Sequence, residues 1–191
     1  MEKRYYFDLN MFITQRKIFL ILILITSLLG TIYAVWTRDN ATLFYTINQF
    51  ITTPNSSQTL FGVFKQSIIT YSTSATLIFI GSANKNLLPI ATLSFMYTIF
   101  SYSFTFACFI MLYGMKGIIV IILLMGVSSV VIIGTYIELF YQGAKFGVLM
   151  QTRYFRTYLN WYLAAIMVIF GISIFEAIFQ PLMQILISKI I

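Results

Sequence analysis

Long unbroken apolar runs constrain this chain more than any other feature. Stretches at about 18–36, 61–79, 87–112, 118–142 and 158–179 are almost free of charge. Each is close to the ~20 residues that a helix needs to cross the hydrocarbon core of a bilayer. Lipid offers no hydrogen-bond partner to an open sheet edge, so such runs must be helical. A membrane barrel would instead alternate apolar and polar residues, and these runs are continuous. The expected fold is therefore all-α: a polytopic transmembrane helical bundle of five crossings, forming a single domain over residues 1–191. Lys17 leads directly into the first run, which is too long for a signal-peptide core and has no small-residue cleavage site.

Composition narrows the chemistry. The chain is 60% hydrophobic and 9% charged, and it has no histidine. That removes histidine-based catalysis and histidine metal ligands. The two aspartates, Asp8 and Asp39, fall at opposite ends of the first span and cannot form a dyad. No phosphate-binding G-x-x-x-x-G-K-[ST] sequence occurs, so ATP use would need another chain. The expectation is a non-enzymatic protein without cofactor. Cys108, the single cysteine, reads as a small packing residue. The net charge of +7 comes from few basic residues, mainly in loops, and is no nucleic-acid signal.

Between the spans lie two amphipathic segments. In residues 2–16, Tyr5, Leu9, Phe12 and Ile13 share one helical face, which predicts a short N-terminal helix on the membrane surface. Asp39 and Asn40 suit the start of a second, outer-side interfacial helix. Its apolar face is Leu43, Phe44, Ile47, Phe50 and Ile51, with Thr46, Asn48, Gln49 and Thr52 facing away and Pro54-Asn55-Ser56-Ser57 closing it. Ala83–Asn86 and Tyr113–Gly117 read as tight turns, and Pro89 sits in a first turn where it does no harm. The apolar stretch from Ile118 to Met150 is too long for one straight crossing, which predicts tilt or a break at Gly126-Val127-Ser128-Ser129. Pro181 is expected to stop the fifth helix, leaving a short interfacial tail.

Five crossings put the termini on opposite sides. Lys3, Arg4, Arg16, Lys17, Lys85, Lys145, Arg153 and Arg156 then share one side, against Arg38, Lys65, Lys116 and Lys189 on the other. The excess marks the N-terminal side as cytoplasmic in a bacterial cell membrane, with the C-terminus outside. Tyr154, Phe155, Tyr158, Trp161 and Tyr162 would form the inner aromatic belt, and Tyr33 and Trp36 the outer anchor.

Two acids stand inside the apolar runs. Intramembrane carboxylates cost several kcal/mol, about 2.5–3.5 at a helix centre on insertion scales, and they need a partner or a function. Glu176 lies ~24 Å along the fifth helix from Asn160, inside the outer half of the core. It is the first functional candidate, with Arg38, Lys65 or Lys116 as prospective partners. The bland alternative is a carboxylate reaching the outer headgroups beside Pro181. Glu138 falls near the inner boundary, where a structural ion pair with Lys145, Arg153 or Arg156 is favoured over function. Ser94, Thr98, Ser101 and Thr105 form a hydroxyl stripe on one helix, and Ser67, Tyr71 and Ser74 a shorter one on another. Small hydroxyl residues let helices approach and bond, so packing is favoured over a permeation path.

The order of features resembles the stage II sporulation protein M (SpoIIM) family. The resemblance rests on the basic N-terminus, on the outer stretch Leu43–Phe50, on Val63-Phe64-Lys65-Gln66-Ser67 before the second span, and on Phe175-Glu176-Ala177 followed by Pro181. The family's proline-containing break in the fourth helix is replaced by Gly126-Val127-Ser128-Ser129. The resemblance implies a membrane scaffold without its own active site, working with cell-wall hydrolases in sporulation or as an accessory of ABC transporters, including those of bacteriocin export and self-immunity.

The leading expectation is a scaffold that positions partner proteins in a membrane complex, with Glu176 and the Leu43–Ile51 face as contacts. The alternative is a transport component: a subunit coupled to a separate ABC ATPase, or a small-solute or proton carrier. A bacteriocin immunity protein is a third. Membrane lipid and other membrane proteins are the expected partners, and self-association is compatible with each reading.

Overall fold

The computed structural model describes residues 9–52, 60–149 and 155–190. Every element among them is helical. They are α1 (Leu9–Trp36), α2 (Ala41–Thr52), α3 (Leu60–Ser82), α4 (Leu88–Tyr113), α5 (Met115–Ile121), α6 (Val127–Leu149) and α7 (Phe155–Ile190). A short 3-10 turn, Lys85–Leu87, joins α3 to α4, and a π-helical turn, Ile122–Gly126, joins α5 to α6.

Among the described residues, four stretches are long and apolar enough to cross a membrane: Arg16–Trp36, Lys85–Tyr113, Met115–Gly147 and Phe155–Ile187. They mark a multi-pass membrane protein. The fifth expected span, α3, has 23 residues, so ~34 Å of helix, but is too polar to join them. The reason lies in its position. α3 packs against α4, α6 and α7 in the middle of the bundle, and its Ser67, Thr76 and Ser82 hydroxyls meet side chains of α7, while Thr70 and Thr73 stay exposed. α7 lies antiparallel to it. Ser67, near the start of α3, meets Glu176 late in α7, while Ser82, at the end of α3, meets Tyr158 early in α7. α1 packs mainly along α4, on one flank.

The main core gathers Phe19, Phe95, Ile99, Ile132, Tyr136, Leu139, Phe140 and Ile169 with Ala75, Ala91 and Ala165. Glycines set the spacing of several contacts. A Cβ on Gly143 would overlap the Ser82 and Tyr158 side chains, and one on Gly147 would meet the Ser82 carbonyl. These two glycines are four apart on α6 and let α3 approach closely. Gly30 of α1 meets Ser103 of α4 in the same way. Gly114 has φ +57, which turns the chain between α4 and α5 in a single residue.

Several expectations are corrected. The N-terminal surface helix is not a separate element: from Leu9 onward the chain belongs to α1, and residues 1–8 lie outside the described residues. Pro181 does not stop the last helix, since α7 continues through it to Ile190. Proline frees one carbonyl and is tolerated in membrane helices where packing holds the flanks. Here Gln184 and Ile187 beyond it are buried, and Ile187 packs with Phe109 and Val120. The expected break at Gly126-Val127-Ser128-Ser129 is a π turn that ends at Gly126, and Ser128 and Ser129 are buried in the first turn of α6. The expected inner aromatic belt is partly turned inward. Tyr158 is buried, and both Tyr158 and Tyr162 stack on Phe79, while Phe155 and Trp161 stay exposed. The Pro54–Ser57 turn and the loop residues Gln151–Tyr154 fall outside the described residues.

Candidate functional site: the Glu176 cavity

Glu138 shows what a structural acid looks like in this bundle. Arg16 donates to its Oε2 from Nε at 3.1 Å and from Nη2 at 2.6 Å, and Gln142 Nε2 donates to its Oε1 at 2.7 Å. The guanidinium also lies 4.4 Å from the centre of the Tyr141 ring. Both oxygens and both charges are thus engaged. Of the partners expected from the sequence, Lys145 and Arg156 do not supply this pair. Lys145 instead faces the Tyr141 ring, and Arg153 is outside the described residues. The pair joins the start of the α1 span to the middle of α6. In the sequence Arg16 stands out only as a topology marker, because its distance in the chain from Glu138 hides the contact.

Glu176 is held differently. Ser67 Oγ donates to its Oε2 at 2.6 Å, and Tyr71 OH donates to its Oε1 at 2.7 Å. Both donors come from α3, four residues apart and so on one face. No lysine or arginine among the described residues bridges to it; the expected partners Arg38, Lys65 and Lys116 are all exposed. Behind Tyr71, Tyr136 OH donates to the Tyr71 carbonyl at 2.7 Å. The buried Tyr102 side chain lies near Tyr71 and Glu176, its hydroxyl within reach of Tyr71 but not in a well-formed hydrogen bond. Ser173, one turn before Glu176, is fully buried with its hydroxyl unmatched. Buried polar atoms without well-formed hydrogen bonds are rare in folded proteins, and of these two Tyr102 lies beside the acid.

Beside Glu176 is a cavity of about 600 Å3 between α2, α3, α4, α7 and the π turn. Gln66, Ser67, Thr70, Tyr71, Thr105, Glu176 and Gln180 supply its polar lining, with Thr46 at one side. Leu43, Ile47, Val63, Phe104, Phe109, Leu124 and Met125 supply the apolar part. The π turn contributes Leu124 and Met125. α2 forms one wall, and it is anchored at both ends. Asn40 Oδ1 caps the Leu43 N–H at 3.2 Å, and Tyr113 OH donates to Asn48 Oδ1 at 2.7 Å.

The remaining sequence candidates fall as follows. Leu43, Phe44 and Ile47 pack inward near Ala34, Ala107 and Cys108, so they are not an open partner face. Asn48, expected to face away, is part of the same anchorage. The side chains of Phe50 and Ile51 lie outside the described residues. The hydroxyl stripe of α4 divides. Ser94 donates to the Ser74 carbonyl of α3 at 3.3 Å, whereas Thr98 and Thr105 donate to carbonyls of their own helix. Ser101 supplies the carbonyl that Thr105 uses, and Thr105 also reaches the cavity. Ser67 and Tyr71 belong to the acid site rather than to simple packing. What sequence reasoning missed is the glycine pair Gly143 and Gly147, although its small-xxx-small spacing was visible.

Comparison with protein-family models, with curated proteins and with solved structures finds no match for this chain.

Proposed function

We propose that this chain is a non-enzymatic membrane subunit of a bacterial transport system, with the Glu176 cavity as its binding site. One observation carries the reading. Of the two intramembrane acids, Glu138 is fully engaged by Arg16 and Gln142, whereas Glu176 has only hydroxyl partners and opens on a roomy cavity. An acid kept at membrane depth without a cationic partner belongs to a binding or relay site. A cavity of this size, mostly apolar with a few convergent polar groups, has the form of a small-molecule site. Five crossings fit the reading, with α3 as the polar central span, the N-terminus cytoplasmic and the C-terminus outside. The energy source would be a separate ATPase subunit or an ion gradient.

The test is genetic and works with the substrate still unidentified. In the native host, Glu176→Gln on the chromosome should reproduce the phenotype of deleting the gene, with membrane levels unchanged on immunoblots. A Gln variant indistinguishable from the wild type would end the reading.

A second reading, a scaffold of the SpoIIM type, is favoured by one feature. Trp36, Tyr45, Phe61 and Met115 are all strongly exposed at the same end of the bundle. A photo-crosslinking residue at Tyr45 should then capture a cell-wall hydrolase or an ABC ATPase in the native membrane. Adducts to lipid alone would remove this reading.

A further inference from the structure

The cavity's lining says what kind of ligand it accepts. We infer that the Glu176 cavity binds a small amphipathic monocation bearing a primary ammonium group, its charge on the Glu176 carboxylate and its apolar body along Phe104, Phe109 and Leu124. The inference rests on the binding-site reading given above and adds the ligand class.

Charge is the first reason. One carboxylate balances one positive charge, and among the described residues no lysine or arginine lines the cavity. A zwitterion such as an amino acid, or a phospholipid amine headgroup, would bring an anion with no partner there. Burying an unpaired charge is costly, so such ligands are selected against. Acceptor count is the second reason. A primary ammonium has three N–H donors, as in lysine. Ser67 and Tyr71 direct their own hydrogens to Glu176, so the carboxylate, the Ser67 oxygen and the Gln180 amide stand among the acceptor groups of the same lining. Size is the third. About 600 Å3 far exceeds a bare ion and sits within the ~300–1,000 Å3 range of small-molecule pockets.

The purified full chain in detergent micelles tests this with four probes. They are 2-phenylethylamine, its uncharged analogue 2-phenylethanol, the zwitterion phenylalanine, and sodium chloride alone. The expected result is a saturable rise in the melting temperature with the amine only. The apparent affinity should fall at least ten-fold in Glu176→Gln and in Leu124→Trp, which fills the cavity but keeps the acid. Should Glu176→Gln fail to fold, Leu124→Trp and the amine–alcohol contrast decide the matter. An equal response to the alcohol or to phenylalanine, a response to sodium alone, an unchanged response in Leu124→Trp, or no response to the amine would each overturn the inference. The two levels separate cleanly. If Glu176→Gln acts as a deletion in the host but the amine does not bind, the ligand class is wrong and the binding-site reading stands. If the amine binds but Glu176→Gln is harmless in the host, the ligand class stands and the transport role falls.

Discussion

Arg16 is what makes Glu138 tolerable inside the bundle. Its guanidinium gives two hydrogen bonds to one carboxylate oxygen, and both side chains are largely shielded, with 10% and 22% exposed. Removing one partner of a buried pair strands the other charge, which costs ~3–5 kcal/mol when burial is complete. Partial exposure of Glu138 lowers that figure, so Arg16→Ala should destabilise the chain by about 2–3 kcal/mol in detergent-titrated unfolding. The apolar double replacement Arg16→Met with Glu138→Leu should recover most of the loss, because no charge is left unpaired. A single variant as stable as the wild type would mean that the pair contributes little. At this scale the sequence is legible in part. The cost of a carboxylate in lipid flags Glu138 and Glu176 at once. Their partners are not visible, because Arg16 lies 122 residues from Glu138, and Ser67 lies 109 from Glu176. Nearby basic residues are the natural expectation, and in both cases a helix neighbour in space takes that place.

Helices are the scale at which apolar runs speak most clearly, and also where they mislead. The runs place α1, α4 and α7 well, since length and apolarity alone define a span. They say least about α3, whose hydroxyls at Ser67, Thr76 and Ser82 bond Glu176, Tyr162 and Tyr158 of α7. They fail at Pro181, where burial of Ile187 holds the helix together. The π turn is foreshadowed only as a break near Gly126. A π turn closes i→i+5 bonds and so holds one residue more than an α-helix would between the same flanks. Its flanks are fixed independently, by Gly117 against Phe109 on one side and Gly143 against Ser82 on the other. Deleting Met125 should therefore convert the turn to regular helix and leave both flanks seated, with normal accumulation in the membrane and a shrunken cavity. Deleting Val130, inside regular α6, should rotate every later residue by about 100° and abolish accumulation. Equal damage from both deletions would show that the turn is not the extra residue.

For the whole molecule, the number of crossings hinges on α3. Its antiparallel pairing with α7, from Ser67–Glu176 at one end to Ser82–Tyr158 at the other, is what a buried span would show. Such a polar helix could insert only with neighbours covering its hydroxyls, since bare polar groups in hydrocarbon cost several kcal/mol each. Asn86, in the turn after α3, is the residue that decides. With the N-terminus cytoplasmic, as proposed, and α3 across the bilayer, Asn86 would lie on the cytoplasmic side, opposite Asn40. Without it, both lie outside and the termini share a side. In a Cys108→Ser background, a membrane-impermeant maleimide should label Asn40→Cys in intact cells and Asn86→Cys only after permeabilisation. Labelling of both in intact cells would leave α3 outside the bilayer and reverse α4, α5–α6 and α7. Glu176 would then move to the cytoplasmic half, where the positive-inside bias of the remaining loops no longer fits. The acid site and the topology therefore stand together, and one cysteine separates the two arrangements.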